Sequence, residues 1–273
     1  MTDKQIQQLR KMMKRFADSK ANQVQSDAEI KKIFNGSKKD LLAFWYALNE
    51  KYEDYTKAND SQLPDNELTN MVNQQALKNG VSVKSPANND ELITYAAYVS
   101  ATTIALGLID HVSNKLKKDS KLIINKTSSM YHVKADVSDN AIKKLVDGKI
   151  DGINWSDRIW SNQDALKSDI NRVMKQSLLA HTNPVSQTKL IRDRYNVSEM
   201  QARRLVRTES ARVMAQQGID NAKELGYTKV MWVANTAACR ICMPHDGKKY
   251  TLRNAEGMIP VHPNCLGSWV AVD

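Results

Sequence analysis

The residues of this sequence with the clearest chemistry are its three cysteines, all in the C-terminal part of the chain. Cys239 and Cys242 are separated by two residues, and His262 and Cys265 repeat that spacing after nineteen further residues (243–261). Two ligands at this spacing reach one ion from a single tight turn, and two such turns complete a tetrahedron. The spacing therefore predicts a structural zinc site made by Cys239, Cys242, His262 and Cys265, since four protein ligands leave no position for an activated water.

Alternatives to this ligand set stay open. Cys239 and Cys242 could be a redox pair, although a redox fold would place them in an α/β setting without a second cluster. The cysteines could also bind nothing, and His245, three residues after Cys242, could replace His262 as a ligand. A zinc deaminase is disfavoured, because its Cys-x-x-Cys pair follows a His-x-Glu that this chain lacks.

Short strands must position these ligands. Residues 229–233 predict a strand that leads into the first cysteine turn, residues 245–250 predict a hairpin turn with a second strand, and residues 267–272 predict a final strand. Three strands this short are too small to be stable alone, and a structural metal compensates for a small core.

The rest of the chain, from residue 1 to about 225, has apolar residues at helical spacing and few Gly or Pro interruptions. We therefore predict a mainly α fold, with helical N-terminal and central regions and a small C-terminal zinc-stabilised β (α+β) module. Gly148 and Gly152 place a domain edge near residue 150. This divides the chain into a helical region of unknown role (1–150) and a second domain (151–273) with helices at 155–225 and the zinc β-module at 226–273.

Several helix boundaries are predicted from capping patterns. A serine followed three residues later by an acidic residue or a glutamine predicts a helix start, as in Ser26 with Glu29, Ser37 with Asp40, and Ser198 with Gln201. The long apolar helix that follows Asn88 is predicted to end in the basic run at 115–118.

Two apolar segments raise the question of a membrane. Residues 93–109 are uncharged, but they include four Ser/Thr and two Tyr and fall short of the roughly 20 apolar residues of a spanning helix. We interpret them as a buried core helix, and no membrane partner is predicted. An N-terminal helix has one apolar stripe, Ile6, Leu9, Met13 and Phe16, which predicts docking on its own domain.

The charge of the chain favours a polyanionic partner. Its 40 Lys and Arg against 30 Asp and Glu give a net charge of +10, and the excess is concentrated at 1–20, 115–150 and 186–215. Such patches are typical of proteins that contact nucleic acid, although many basic proteins bind none. The candidate DNA contacts are Arg203, Arg204, Arg207, Lys115, Lys117 and Lys118. The alternative for the arginines is a solvated helix face with Glu199 paired to Arg203.

Glu209 lies on the same predicted helix as these arginines, with Val206 and Val213 beside it. It is therefore expected to be about half buried, and a buried carboxylate needs a donor. Arg212, three residues later, is a candidate within the helix, and a residue from another segment would serve equally well.

Taken together, several pieces of residues 155–273 resemble one family. They are Arg207-Thr208-Glu209 on a helix, Gly226, Trp232, Cys239 with Cys242, Asp246-Gly247-Lys248, and His262-Pro263-Asn264-Cys265. In order and spacing they resemble the phage head morphogenesis, or minor head protein, family of the phage Mu protein F type. The chain departs from the family pattern in one place, where Cys265-Leu266-Gly267 stands instead of Cys-Arg-Cys.

The resemblance implies a function and partners. Members are portal-associated minor capsid proteins that bind double-stranded DNA without sequence preference and support head morphogenesis and genome packaging or ejection. It implies a portal protein as partner, with a major capsid or scaffolding protein as a further one. It also implies a location inside the capsid near the portal, after assembly in the host cytoplasm. Arg207 and Glu209 would be a structural pair, the zinc would be structural, and no residue would be catalytic. The alternatives are a cellular zinc-containing DNA-binding protein, or a DNA-acting enzyme fused to a minor head domain.

Overall fold

The fold is mainly α-helical with a small C-terminal β-sheet, as predicted. The computed structural model describes residues 2–18, 21–52, 64–133, 137–179 and 184–273. Within these ranges there are eight α-helices and five short strands. In chain order they are α1 Asp3–Ala17, α2 Ala21–Lys51, α3 Asn66–Lys78, α4 Asn89–Tyr131, α5 Asp139–Val146, β1 Lys149–Ile150, β2 Ile153–Asn154, α6 Trp155–Leu179, α7 Pro184–Glu224, β3 Lys229–Val233, β4 Lys249–Thr251, α8 Leu252–Ala255 and β5 Ser268–Val272.

The chain forms two compact units, each assembled from separate stretches of sequence. The first unit comprises Met1–Asp27, His111–Trp155 and Arg203–Asp273, and the second comprises Ala28–Asp110 and Ser156–Ala202. The division predicted at residue 150 follows chain order instead, and it stays a prediction.

The first unit is built around a three-stranded antiparallel sheet of order β4-β3-β5. Side chains alternate across its two faces, as the pleat of a strand requires. One face, made by Met231, Val233, Val270 and Val272, packs against the apolar stripe of α1. The predicted docking of that helix is therefore confirmed, but its partner is the C-terminal sheet, which lies outside the region 1–150 to which the helix was assigned from the sequence. The other face packs against small residues of α7 and consists of Val230, Trp232, Trp269 and Ala271.

The second unit is a helical assembly with a polar contact inside its core. The hydroxyl of Ser100 in α4 lies 2.6 Å from the hydroxyl of Ser37 in α2 and also bonds to Tyr195 in α7. Gly107 allows close packing, since a Cβ there would lie 3.1 Å from Cγ2 of Ile33. Hydrogen bonds between these buried hydroxyls fix how far α2, α4 and α7 are shifted along their axes relative to one another.

The helix starts predicted at Ser26, Ser37 and Ser198 are wrong, because each serine lies inside a longer helix. Each hydroxyl contacts another helix instead of capping its own: Ser26 meets His111 (2.9 Å), Ser37 donates to the Ser100 carbonyl (2.9 Å), and Ser198 accepts from Gln163 (3.2 Å). The long apolar helix also continues beyond the basic run, to Tyr131. The predicted helix end near His181 lies outside the described residues.

Helix α4 contains an 18-residue window with a mean hydropathy of 1.7, which by length and composition alone would be apolar enough to cross a membrane. However, 67% of that window is buried inside the protein. Core helices of soluble proteins pass the same test, which agrees with the interpretation of residues 93–109 as a core helix.

One side chain hydrogen-bonds to the backbone of Ala271 at the outer edge of strand β5. The hydroxyl of Tyr131, the last residue of α4, accepts from the Ala271 N–H (2.9 Å) and donates to the Ala271 carbonyl (3.1 Å). Strand β5 has β3 as its neighbour on one side only, so these two backbone groups would otherwise lack partners. Ala271 is 6% exposed, and water could not easily replace the hydroxyl.

We therefore expect Tyr131→Phe to lower the free energy of unfolding by about 1–3 kcal/mol, the usual cost of buried polar groups left without partners. Urea denaturation at pH 7 measures this change. The exposed Tyr46→Phe is the matched control and should be neutral.

The effect of pH gives an independent check. Burial raises the pKa of Tyr131 above its ordinary value. The folded protein then holds the hydroxyl proton of Tyr131 more tightly than the unfolded chain does. The stabilisation that this hydroxyl gives is therefore complete below about pH 10 and declines above it. The difference between wild type and Tyr131→Phe should therefore shrink above about pH 10, and a constant difference would contradict the assignment.

Candidate metal centre

Three of the four predicted ligands lie together. The ligand atoms of Cys239, Cys242 and His262 are all within 4.8 Å of one another. Nε2 of His262 lies 3.1 Å from the sulfur of Cys239 and 3.1 Å from that of Cys242. Two sulfurs at equal distances from one imidazole nitrogen are typical of the ligands around one metal ion, and a redox pair does not require the imidazole.

Cys265 adjoins this group through Cys242, with the two sulfurs 3.7 Å apart. Two thiolates on one tetrahedral zinc ion, each about 2.3 Å from the metal, are separated by about 3.8 Å. The spacing of these two sulfurs therefore fits two ligands of one ion, although Cys265 is not in the group of three whose ligand atoms all lie within 4.8 Å of one another. The two contacts of His262 are shorter than the roughly 3.6 Å expected between nitrogen and sulfur ligands of zinc, so a bound ion would widen the group slightly.

Two backbone turns present the ligands. In the first, the N–H of Cys242 donates to the carbonyl of Cys239 (3.1 Å), and in the second, the N–H of Cys265 donates to the carbonyl of His262 (3.0 Å). Asn264 in the second turn has φ 64°, in the left-handed region where asparagine is favoured among side chains with a Cβ. The spacing seen in the sequence is therefore the spacing of two closed turns.

The tautomer of His262 suits a metal ligand. Its Nδ1 lies 2.8 Å from the carbonyl oxygen of Pro263, which only accepts hydrogen bonds, so Nδ1 carries the proton. In the neutral ring Nε2 then has a free lone pair, and this is the atom that points into the Cys/His group. A backbone carbonyl in this position is a common way to orient a metal-binding histidine.

His245, the alternative ligand, has a different environment. Its Nδ1 lies 2.7 Å from the Tyr250 hydroxyl, and its ring stacks on Trp232 with 4.8 Å between centroids. The metal-binding group contains His262 and does not include His245. The geometry therefore favours His262 as the histidine ligand.

The electrostatics differ between the two cysteines of the first turn. Backbone N–H groups of Cys242 and Ile241 hydrogen-bond to the sulfur of Cys239 and lower its pKa to about 7. Burial, together with the nearby sulfur of Cys265, raises the pKa of Cys242 to about 12. A buried thiolate at Cys242 therefore needs a cation beside it, as a bound metal ion would be.

Helix α7 holds the second ligand turn directly. The N–H of Asn264 donates to the hydroxyl of Thr208 (3.0 Å), and that hydroxyl donates to the carbonyl of Arg204 one helical turn earlier (2.7 Å). Thr208 is the middle residue of the Arg207-Thr208-Glu209 motif. Two pieces of the family pattern that are 56 residues apart in sequence are thus in contact.

Glu209 is more deeply buried than expected, at 1% exposure. Its carboxylate accepts from Nε of Arg212 (2.7 Å), which confirms the partner suggested within the helix. The same guanidinium also donates to the carbonyls of Leu145 (2.8 Å) and Val146 (3.0 Å), the last residues of α5. Arg212 therefore supplies donors that the end of a helix lacks, and the sequence contained no sign of this contact.

Arg207 and Glu209 have separate ion-pair partners. The guanidinium of Arg207 donates to Asp27 (2.7 Å), and Arg203 lies 3.3 Å from the same carboxylate. Residues two apart on a helix do not face each other. The resemblance implies that Arg207 and Glu209 are a structural pair. Each of them makes a structural contact, but Arg207 makes it with Asp27 and Glu209 makes it with Arg212.

The six candidate DNA contacts fall into two groups. Arg203 and Arg207 are held by Asp27, and Lys115 is held by the buried Asp119 (2.6 Å). The other three are exposed and have no ion pair within the part of the chain that the structure describes: Arg204, Lys117 and Lys118. These three are therefore the ones able to meet a phosphate without losing an internal contact.

Two further motif residues are explained by long-range contacts. Asp246 accepts from the N–H of Ala234 (2.9 Å) and forms an ion pair with Arg10 of α1. Gly267, where the chain departs from the family pattern, packs on Trp232, and a Cβ there would lie 2.8 Å from the indole ring. Sequence reasoning missed both, because neither partner is near in the chain.

Comparisons with protein-family models, with curated proteins and with solved structures found no match. From its geometry, the site is a Cys/His group close enough to hold a metal ion, carried by a small sheet in a mainly helical protein.

Proposed function

We propose that this chain is a phage minor head protein of the phage Mu protein F type. In this role it associates with the portal protein inside the capsid and supports head morphogenesis and genome packaging or ejection. The observation that supports this best is the hydrogen bond between Thr208 and Asn264. It joins the Arg207-Thr208-Glu209 helix to the His262-Pro263-Asn264-Cys265 turn, the two most distinctive pieces of the resemblance.

The metal in this proposal is a structural zinc ion bound by Cys239, Cys242, His262 and Cys265. Three thiolates and an imidazole are ligands that favour zinc over magnesium or calcium, which prefer oxygen. Four protein ligands leave the metal no open position, so it stabilises the sheet and takes no part in a reaction. No catalytic residue is proposed.

Portal association is tested by co-expression. The tagged portal protein encoded in the same genome should retain the untagged chain on affinity resin, and an unrelated portal protein should not. The host cytoplasm is where such a complex would first form. Absence of the complex, with both proteins folded and soluble, would overturn the proposal.

Binding of double-stranded DNA is proposed to be electrostatic and independent of sequence, with contacts from Arg204, Lys117 and Lys118. Each duplex phosphate contact contributes about 0.9 to the slope of log affinity against log salt concentration. We expect Lys117→Gln with Lys118→Gln to reduce that slope by up to about 1.8, measured by fluorescence anisotropy.

The matched control is Lys31→Gln with Lys32→Gln, which removes the same charge from exposed positions of α2. An equal loss of slope in both double variants would contradict a contact at 117–118, because it would reflect net charge alone. Affinity that is independent of salt would contradict electrostatic binding altogether.

A further inference from the structure

An open groove of about 580 Å³ lies on the second unit, between α2 and α7. It was not among the candidate sites identified from the sequence. The groove is shallow and open to solvent along most of its extent, so it suits a ligand that lies along the surface and not one that is enclosed. The residues that line it are Asn35, Lys38, Lys39, Leu42, Ala43, Tyr46 and Arg192.

The charge of the groove has one sign. Three of its seven lining residues are cationic, namely Lys38, Lys39 and Arg192, and none is acidic. In the described parts of the chain none of the three has an ion pair, in contrast to Arg203, Arg207 and Lys115. Cations placed together without counter-charges repel one another, and a bound polyanion removes that repulsion.

The floor of the groove is suited to a flat ring. Tyr46 is 44% exposed, and Leu42, one helical turn earlier, is largely buried and also lines the groove. Lys38, Leu42 and Tyr46 are each four residues apart on α2, so they lie along one face of that helix. An aromatic ring beside a line of cations is the arrangement with which proteins stack a base and hold its phosphates.

We propose that this groove binds single-stranded nucleic acid, with a phosphate between the α2 lysines and Arg192 and a base stacked on Tyr46. A phosphate alone would leave the exposed ring of Tyr46 unused. A duplex would satisfy the cations, but its bases are stacked on each other and are not available to Tyr46. Both the site and the strand form go beyond the duplex contact proposed at Arg204, Lys117 and Lys118.

The test measures affinity for a fluorescein-labelled oligothymidylate of about 12 nucleotides by anisotropy, using the full chain. Tyr46→Ala should weaken binding at least about fivefold, while Tyr46→Phe should bind like the wild type because it keeps the ring. Arg192→Gln should reduce the salt slope by about 0.7, the contribution of one phosphate of a single strand. The double variant Lys31→Gln with Lys32→Gln should leave the effect of Tyr46→Ala unchanged.

Different failures have different meanings. Equal affinity of wild type and Tyr46→Ala for oligothymidylate would overturn the groove, and so would an equal loss of duplex and single-strand binding in Tyr46→Ala. Neither result affects the portal pulldown, so the groove and the proposed function can fail separately. Circular dichroism of each variant confirms that the helices remain.

Discussion

Cys265→Ala is expected to lower bound zinc from about one ion per chain to less than about half, and to unfold the sheet of β3, β4 and β5. Structural zinc supplies folding energy directly, with apparent values of about 10–16 kcal/mol in zinc-finger peptides at pH 7. In Cys265→Ala the three remaining ligands, Cys239, Cys242 and His262, would keep part of this binding energy. The variant also removes a buried sulfur from the apolar cluster between α7 and the sheet.

Two measurements test the loss of zinc and the unfolding of the sheet in Cys265→Ala. Elemental analysis gives the zinc content, and amide hydrogen exchange gives the protection of residues 229–272 before and after a chelator is added. Exchange in that range should become fast in Cys265→Ala and in chelated wild type, while the helices of the second unit keep their protection.

His245→Gln is the matched control for the choice of ligand. It should keep its zinc, because the ring of His245 contacts Tyr250 and Trp232 instead of the Cys/His group. Loss of zinc from His245→Gln together with retention in His262→Gln would reverse the assignment of the histidine ligand.

Arg212→Ala is expected to destabilise the first unit by about 3–5 kcal/mol, the usual effect of breaking a buried ion pair from one side. The variant removes the ion pair that Arg212 itself makes with the buried Glu209, and also two hydrogen bonds to the end of α5. Denaturant unfolding measures the loss. Arg204→Ala, on an exposed part of the same helix, should change stability by less than about 0.5 kcal/mol.

A second substitution separates charge from packing. Adding Glu209→Gln to Arg212→Ala removes the buried negative charge, so it should recover part of the lost stability. Arg212→Lys should recover little, because one ammonium cannot reach both the carboxylate and the two carbonyls as the guanidinium does. No recovery in the double variant would mean that the carbonyls of α5 account for most of the loss.

The metal-binding group could be predicted because its ligands come from two local turns whose spacing is visible in the sequence. The choice between His245 and His262 could not, since it depends on the carbonyl of Pro263 and on the hydroxyl of Tyr250. Likewise the strand at 229–233 was predicted with its observed bounds, because Val230, Trp232 and Val233 are residue types enriched in strands and this is a local signal.

Helix boundaries were predicted less well, and the reason is physical. Ser37 and Ser198 match capping patterns, yet their hydroxyls bond to other helices, and a serine side chain satisfied in this way does not end a helix. The ion pairs that hold Arg203 and Arg207 involve Asp27, 180 residues away from Arg207. Charge patterns along a sequence do not reveal such partners.

The docking of α1 has a consequence for the order in which the first unit is made. Arg10 pairs with Asp246, and Asp18 accepts from the N–H of Thr236 (2.8 Å), so the helix synthesised early is fastened to segments synthesised more than 200 residues later. The sheet face formed by Met231, Val233, Val270 and Val272 is covered by α1, whose own apolar stripe has no sheet to cover until β5 exists. The stripe therefore gains its complete set of contacts only after β5 has been synthesised, and closure of the first unit is a late, long-range step.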